Sequence, residues 1–339
     1  MKKIAINGFG RIGRVILRTI LSDATSSKNI QVIAINDLTD ANTLAHLFKY
    51  DSIYGNFNGS IKVDEKAESL IINGHKIRIL SESDPLKLPW GDLGIDLVIE
   101  STGRFATKEQ ASQHLKSGAK KVLISAPAKG AGIPTVVHNV NHQILNASDT
   151  IISTASCTTN SLAPVAHAIN KEFGIESGLM TTIHGYTADQ KLHDAPHSDL
   201  RRARAAATNI VPTSSGAAIA IGLVIPELDG KLAGGALRVP VITGSVVDLT
   251  FTTTQPATVK GINEAIKKHA NESMRYETNP IVSSDIIGAT EGTIFDSLLT
   301  QEISSKNGKK LFKITTWYDN ESSYVNQVVR TLNYFLKLN

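Results

Sequence analysis

The chain has 339 residues, of which 41% are hydrophobic and 19% charged, with a net charge of +4. That is the make-up of a globular protein long enough for two sizeable cores. A single cysteine, Cys157, rules out an internal disulfide and fits a reducing compartment. No apolar run approaches the roughly 20 residues needed to span a bilayer, which argues against a membrane protein. The apolar start after Lys2-Lys3 ends at Asn7, so no signal peptide is expected and a cytoplasmic location is. Aromatics are only 5% and no lysine tract is present, which speaks against a dedicated nucleic-acid binder. The mild positive excess suits an enzyme that handles phosphorylated compounds.

Ile4-Ala5-Ile6 reads as a short buried strand. It runs into Gly8-Phe9-Gly10-Arg11-Ile12-Gly13 and then a helical pattern through Val15, Ile16, Ile20 and Leu21. A second strand, Gln31 to Ile35, ends in Asn36-Asp37, about 20 residues past the glycines. Gly8, Gly10 and Gly13 would let the backbone approach a pyrophosphate, with the helix N-terminus favouring its charge and Asp37 accepting hydrogen bonds from a ribose diol. Glycines also serve ordinary strand-to-helix turns, but strand, helix and acid all fall in place for a dinucleotide. Asp37 favours NAD over NADP, because a 2′-phosphate beside a carboxylate is repelled.

Ala41 to Tyr50 reads as a helix, and Ser69 to Ile77 as a hairpin turning at Asn73-Gly74. Asp96 to Glu100 and Lys121 to Ser125 read as buried strands flanking a helical stretch from Lys108 to Lys116. This alternation predicts an α/β, doubly wound parallel sheet of Rossmann type, with its ligand at the carboxyl ends of the strands. Those ends carry Asn7-Gly8, Asn36-Asp37, Ser101-Thr102-Gly103 and Ser125-Ala126-Pro127.

Thr150 to Thr154 is β-branched and apolar, and Ser161 to Phe173 has helical spacing. Cys157 falls between them, where Ser156 or Thr158 can cap the helix. At a helix N-terminus the dipole and unpaired N–H groups favour a thiolate. A lone cysteine is also a small hydrophobe, so position alone leaves both readings open. Met180 to His184 reads as a strand ending in a histidine, followed by a long polar segment to about Thr208, a functional or interface loop. Within it, Arg201-Arg202-Ala203-Arg204 is a solvated face, a polyanion patch or a small-anion site. Ser215-Gly216 open an apolar helix ending near Pro226. Ala236 to Pro240 and Ser245 to Thr254 alternate as in an antiparallel sheet, Lys309 to Trp317 is a further strand, and Asn320 to Leu336 a final helix. No tight His/Cys cluster suggests a metal, and none is expected.

Together these residues resemble the phosphorylating glyceraldehyde-3-phosphate dehydrogenases from Lys3 to the last helix. The marks are Ile6 to Arg14, Ser156-Cys157-Thr158-Thr159-Asn160, His184-Gly185-Tyr186-Thr187, Leu237-Arg238-Val239-Pro240 and Trp317-Tyr318-Asp319-Asn320-Glu321. The resemblance implies an NAD-binding Rossmann domain over 1–156, rejoined by a C-terminal helix over 320–339, and an α+β catalytic domain over 157–319 with a mostly antiparallel sheet. It implies NAD-dependent oxidative phosphorylation of glyceraldehyde 3-phosphate through a Cys157 thiohemiacetal and thioester, with His184 as base. Thr187 and Arg238 match the site for the substrate's phosphate. Ser156, Thr158, Arg202, Ser215 and Gly216 match the site for inorganic phosphate and its surroundings. Arg11, Ile12, Asp37, Ser125 and Asn320 match NAD contacts, beside the turn glycines. The segment from Gly185 to Thr208 matches a loop between subunits of a homotetramer. Ser161 stands where the family usually has a second cysteine, Ser215 where it has a threonine, and Ser83 where many members have a basic residue near the adenine. The rivals are a sister enzyme of erythrose 4-phosphate, a cysteine hydrolase, and a binding role for RNA or a cell surface.

Overall fold

A computed structural model describes residues 1–66, 68–306 and 308–338. The chain forms two compact units. The first comprises Met1–Val136, His142–Ala155 and the chain from Val328 onward; the second comprises Val137–Asn141 and Ser156–Gln327.

The first unit carries strands β1 (Lys2–Asn7), β2 (Ile30–Asn36), β3 (Ile61–Asp64), β4 (Ser69–Ile72), β5 (His75–Leu80), β6 (Leu97–Glu100), β7 (Lys121–Ile124) and β8 (Ile151–Ser153). Its helices are α1 (Arg11–Ser22), α2 (Ser26–Asn29), α3 (Ala41–Lys49), α4 (Trp90–Leu93) and α5 (Lys108–Lys116). The sheet order is β3-β4-β5-β2-β1-β6-β7-β8. From β5 to β8 all neighbours are parallel, while β3, β4 and β5 form an antiparallel meander at one edge. Ile4, Ala5, Ile6, Val98 and Ile99 are wholly buried, as expected of strands covered on both faces. The β4–β5 turn uses Asn73 (φ 50°) and Gly74 (φ 82°), the left-handed pair that a tight hairpin requires. Chain order reverses between β1 and β6, so a crevice opens beside the carboxyl end of β1.

The second unit holds β9 (Ile175–Gly185), β10 (Val211–Ser214), β11 (Leu232–Val239), β12 (Ser245–Thr253), β13 (Met274–Glu277), β14 (Thr293–Asp296), β15 (Gln301–Ser304) and β16 (Lys310–Tyr318). Helices α6 (Cys157–Phe173), α7 (Ala217–Val224) and α8 (Val259–His269) belong to it, and α9 (Ser322–Phe335) begins in it. The order is β10-β11-β9-β12-β16-β14-β13, with β15 also on β16. Most pairs are antiparallel, in keeping with the expected sheet. The exception in the region read from sequence is β11, which runs parallel to β9 along its whole length. The chain crosses over through β10 and α7 between those two strands, and such a crossover returns a strand in the same direction. Helix α6 is buried over most of its length, with Leu162, Val165, Ala166 and Ile169 inaccessible.

Candidate active site and cofactor cleft

In the first unit the sequence from β1 to α1 builds a cradle. Gly8 has φ +93°, and a Cβ there would lie 2.8 Å from Thr102, so only glycine fits. A Cβ on Gly13 would lie 2.2 Å from the Gly8 carbonyl oxygen, which is the close helix–strand approach the third glycine serves. Gly10 differs: its Cβ would meet nothing within 4 Å, and it caps α1 without any side-chain hydrogen bond. The first turn of α1 contains no acidic residue. Its exposed end is thus a backbone donor set with a favourable dipole and open space in front, which fits a pyrophosphate. Gly8, Gly10, Asn36, Asp37, Ser101 and Thr102 line one cleft here.

Asp37 follows β2. Its carboxylate accepts from the Phe9 N–H at 2.7 Å and the Thr39 N–H at 3.0 Å, which fixes it at the cleft wall. Arg11 turns its guanidinium away to Asp51 at 2.6 Å, so its backbone is the part facing the helix end. Asp51 is held by the Ile53 and Tyr54 N–H groups, which with Arg11 outweigh burial and keep its carboxyl below the usual range. Ile12 lies in the same first turn of α1, and Ser125 at the end of β7 donates to the Glu100 carbonyl at 3.1 Å.

The nucleophile position is set by three consecutive residues, Ala155 of the first unit and Ser156 and Cys157 of the second. Ala155 adopts φ 57°, a left-handed conformation that costs a non-glycine residue about 1 kcal/mol or more. Ser156 is extended and caps α6, its Oγ accepting from the Thr159 N–H at 3.1 Å. Cys157 is then the first helical residue. Its Sγ lies 3.4 Å from Nε2 of His184, near the end of β9. Thr158 turns inward: its hydroxyl is 2.9 Å from that of Tyr318, which also meets Thr182 at 2.7 Å. Tyr318 stands edge-on to the His184 ring.

Burial is the first influence on the charge of both partners. Burial pushes the Cys157 thiol up, and Arg238, Thr158 and the local N–H groups offset this only in part. Burial and then Arg238 lower His184 to about 3. Both shifts favour the uncharged forms of the pair. Nδ1 of His184 lies 2.7 Å from the Gly185 carbonyl oxygen and 2.6 Å from Nη1 of Arg238. It can donate to the first or accept from the second, and a neutral ring does one of these at a time. Arg238, on β11 directly opposite His184, has no carboxylate within ion-pairing distance among the described residues. Its buried Nε also lacks a partner. A half-buried cation with no carboxylate in direct contact, beside a nucleophile, is a site for an anion.

Thr187 and Arg202 meet through Asp189, which sequence reading missed. The Thr187 hydroxyl donates to Asp189, and Arg202 donates to it at 2.7 Å and to Thr213 at 2.8 Å. Burial raises the Asp189 carboxyl, but Thr187, Arg238 and Arg202 together hold it below the usual range. Asp194 binds Arg204 at 2.9 Å, so that arginine is engaged on the surface. Ser215 accepts from the Ala217 N–H at 3.3 Å, and Gly216 precedes α7 with open space around it. Asn320 is buried, its Oδ1 accepting from Thr243 at 3.1 Å and Ser245 at 2.9 Å. Nothing in the sequence of the 185–208 segment marked Asp189 among its other polar residues. Among the described residues no cluster of His, Cys, Asp and Glu could hold a metal ion, and no helix is long and apolar enough to cross a membrane.

A dinucleotide cradle on a parallel sheet and a helix-start cysteine facing a histidine define a class, the nicotinamide-dependent oxidoreductases that work through a thiol. Residues 2–108 match the family model for the NAD binding domain of glyceraldehyde 3-phosphate dehydrogenase, and residues 156–320 match the model for its C-terminal domain. The chain is 56% identical over 340 residues to the glyceraldehyde-3-phosphate dehydrogenase of Clostridium acetobutylicum, spanning 100% of this chain and 99% of that one. It is 55% identical over 340 residues to that of Clostridium pasteurianum, with the same coverage. To that of Mycoplasma pneumoniae it is 60% identical over 336 residues, spanning 99% and 98%. The chain belongs to the glyceraldehyde-3-phosphate dehydrogenase family, and its activity is that of a glycolytic, NAD-dependent oxidoreductase.

Proposed function

We propose that Cys157 and His184 carry out the oxidative phosphorylation of D-glyceraldehyde 3-phosphate to 1,3-bisphosphoglycerate in this chain. The observation that carries the reading is the Sγ–Nε2 contact of 3.4 Å with the Arg238 guanidinium beside it, which touches no carboxylate. As Sγ attacks the aldehyde carbon, Nε2 of His184 takes the thiol proton and passes it to the forming alkoxide. This requires the other ring proton on Nδ1, donated to the Gly185 carbonyl. Arg238 then serves the substrate's phosphate, together with Thr187, in place of Nδ1. The product is a thiohemiacetal, from whose hydroxyl His184 removes the proton as hydride leaves. NAD, when bound, supplies the acceptor for that hydride. A Cys157 thioester remains. Inorganic phosphate, held by Arg202 and by Ser156, Thr158, Ser215 and Gly216 around it, attacks the thioester carbonyl. The C–S bond breaks, the acyl phosphate departs, and the proton held by His184 returns to the Cys157 thiolate.

Gly8, Gly10 and Gly13 with the Arg11 and Ile12 backbone would take the pyrophosphate, Asp37 the adenosine ribose, and Ser125 and Asn320 the nicotinamide half. Asn320 suits that role because two hydroxyl donors fix its Oδ1 and leave its amide N–H₂ as the recognising group. The domain division at 156, with 320–339 returning to the cofactor domain, belongs to the same reading. So do a cytoplasmic location and a homotetramer. Leu192 and Leu200 in the 185–208 segment, and Ile219 and Leu223 on α7, are exposed apolar side chains suited to subunit contacts.

The test is NAD reduction by glyceraldehyde 3-phosphate with and without inorganic phosphate, and with NADP in place of NAD. Phosphate-dependent turnover favouring NAD is expected. Turnover indifferent to phosphate would remove phosphate as the group that discharges the thioester, and equal use of NADP would remove the role of Asp37.

A further inference from the structure

Glu100 closes β6 and is buried with 1% of its surface exposed, yet it is a carboxylate outside the catalytic chemistry. Its Oε2 accepts from Asn7 Nδ2 at 2.6 Å and from Nε2 of the buried His114 at 2.9 Å. The Trp90 indole N–H, which can only donate, points at His114 Nδ1 at 3.0 Å. Nδ1 is thus an acceptor, and Nε2 carries the proton that Glu100 receives. The Oε1 atom accepts from the Thr102 N–H at 2.8 Å and from its hydroxyl. Asn7 Oδ1 accepts in turn from Asn36 Nδ2 at 2.7 Å, and Asn36 grips the Glu82 backbone through both ends of its amide, each at 2.9 Å.

A buried carboxylate is costly unless donors saturate it, and an apolar residue at a strand end would avoid that cost. This one gathers the ends of β1, β2 and β6 and the loop after β5 into a single hydrogen-bonded chain. The members Asn7, Asn36, Glu82 and Thr102 all line the cleft described above. Thr102, held twice by Glu100, abuts Gly8 so closely that a Cβ there would be 2.8 Å away. Moving Thr102 therefore moves the first glycine of the turn.

We infer that Glu100, fixed by His114 and Trp90, is a positioning residue for cofactor binding, setting the Gly8 turn through Thr102 and the strand ends through Asn7. The inference rests on the reading of this cleft as the NAD site. Glu100→Gln offers one amide oxygen and an N–H₂ group to four donors, so one donor pair meets another. Calorimetric Kd for NAD should rise about tenfold, and KM for NAD with it, while kcat at saturating NAD stays constant. Alkylation of Cys157 by iodoacetamide without NAD should keep its rate. Thr102→Val, which removes one hydroxyl and keeps the shape, should raise Kd about threefold and decides the matter if Glu100→Gln does not fold. Asp37→Ala is the control. If it weakens NAD while Thr102→Val and Glu100→Gln bind as the parent does, Glu100 has no positioning role. An altered alkylation rate in step with weaker NAD binding would mark a general loosening and overturn the inference. Normal NAD binding by Asp37→Ala would show that the cofactor lies elsewhere, and this inference falls with the cleft.

Discussion

Two strand-to-helix turns, Gly8–Gly13 and Ala155–Cys157, solve the same geometric problem with opposite chemistry. The first leaves the start of α1 uncapped by any side chain and clears space with glycine. The second caps α6 with Ser156 and places a thiol on the first helical residue. An uncapped helix start offers its backbone donors to an external anion. A capped one has already engaged a donor and instead presents a side chain in a fixed direction. The conformational cost differs too: the left-handed residue is Gly8 in one turn, where it is free of Cβ strain, and Ala155 in the other. The contrast teaches that one kind of helix start can serve either as an anion site or as a fixed mount for a reactive side chain. At the catalytic turn burial opposes the thiolate, while Arg238, Thr158 and the local N–H groups favour it.

Substitutions can break this division of labour one turn at a time. The largest effect falls on the catalytic turn: Cys157→Ser should lower kcat by at least about 10³-fold while leaving the Kd for NAD unchanged, measured by steady-state kinetics and calorimetry. His184→Asn should lower kcat by about 10²–10³-fold, with the NAD Kd again unaffected. The same variant tests the buried neutral ring through stability. The unfolded chain binds a proton at His184 below about 6.5 that the folded chain refuses down to about 3. The parent should therefore lose about 1.4 kcal/mol per pH unit from this group as pH falls through that window, and His184→Asn should lack that component in denaturant titrations.

At the cofactor turn, Gly10→Ala meets no atom within 4 Å and keeps an ordinary backbone conformation, so Tm should hold. Its methyl group projects where a pyrophosphate approaches, and the Kd for NAD should rise about tenfold. An unchanged Kd would place the phosphates elsewhere. The smallest effect is that of Ser156→Ala, which removes the cap of α6 at a cost of about 1 kcal/mol, or a fall of about 1–3 °C in Tm.

Much of this was legible because it is local. The strand, Gly8 to Gly13, α1 and Asp37 follow one another with fixed periodicity, and so do β8, Cys157 and α6. Sequence order also located His184 at a strand end, though only the fold shows that its ring faces Sγ. What stayed hidden is non-local. Alternation in Ala236 to Pro240 reveals a strand with two unlike faces but not the direction of its neighbour, so the parallel pairing of β11 with β9 was not visible. Short strands such as β13 and β14 carry too few residues to show a period. Asp189 and Glu100 are carboxylates whose sequence neighbours say nothing of their burial or of the donors that surround them.

The most direct test of the account is a single turnover: protein saturated with NAD is mixed with glyceraldehyde 3-phosphate in the absence of phosphate. One equivalent of NADH should appear in a burst, with the acyl group found by mass spectrometry on Cys157, and added phosphate should discharge it. A burst that leaves Cys157 unmodified would contradict the thioester mechanism, and continuous turnover without phosphate would contradict its discharge by phosphate.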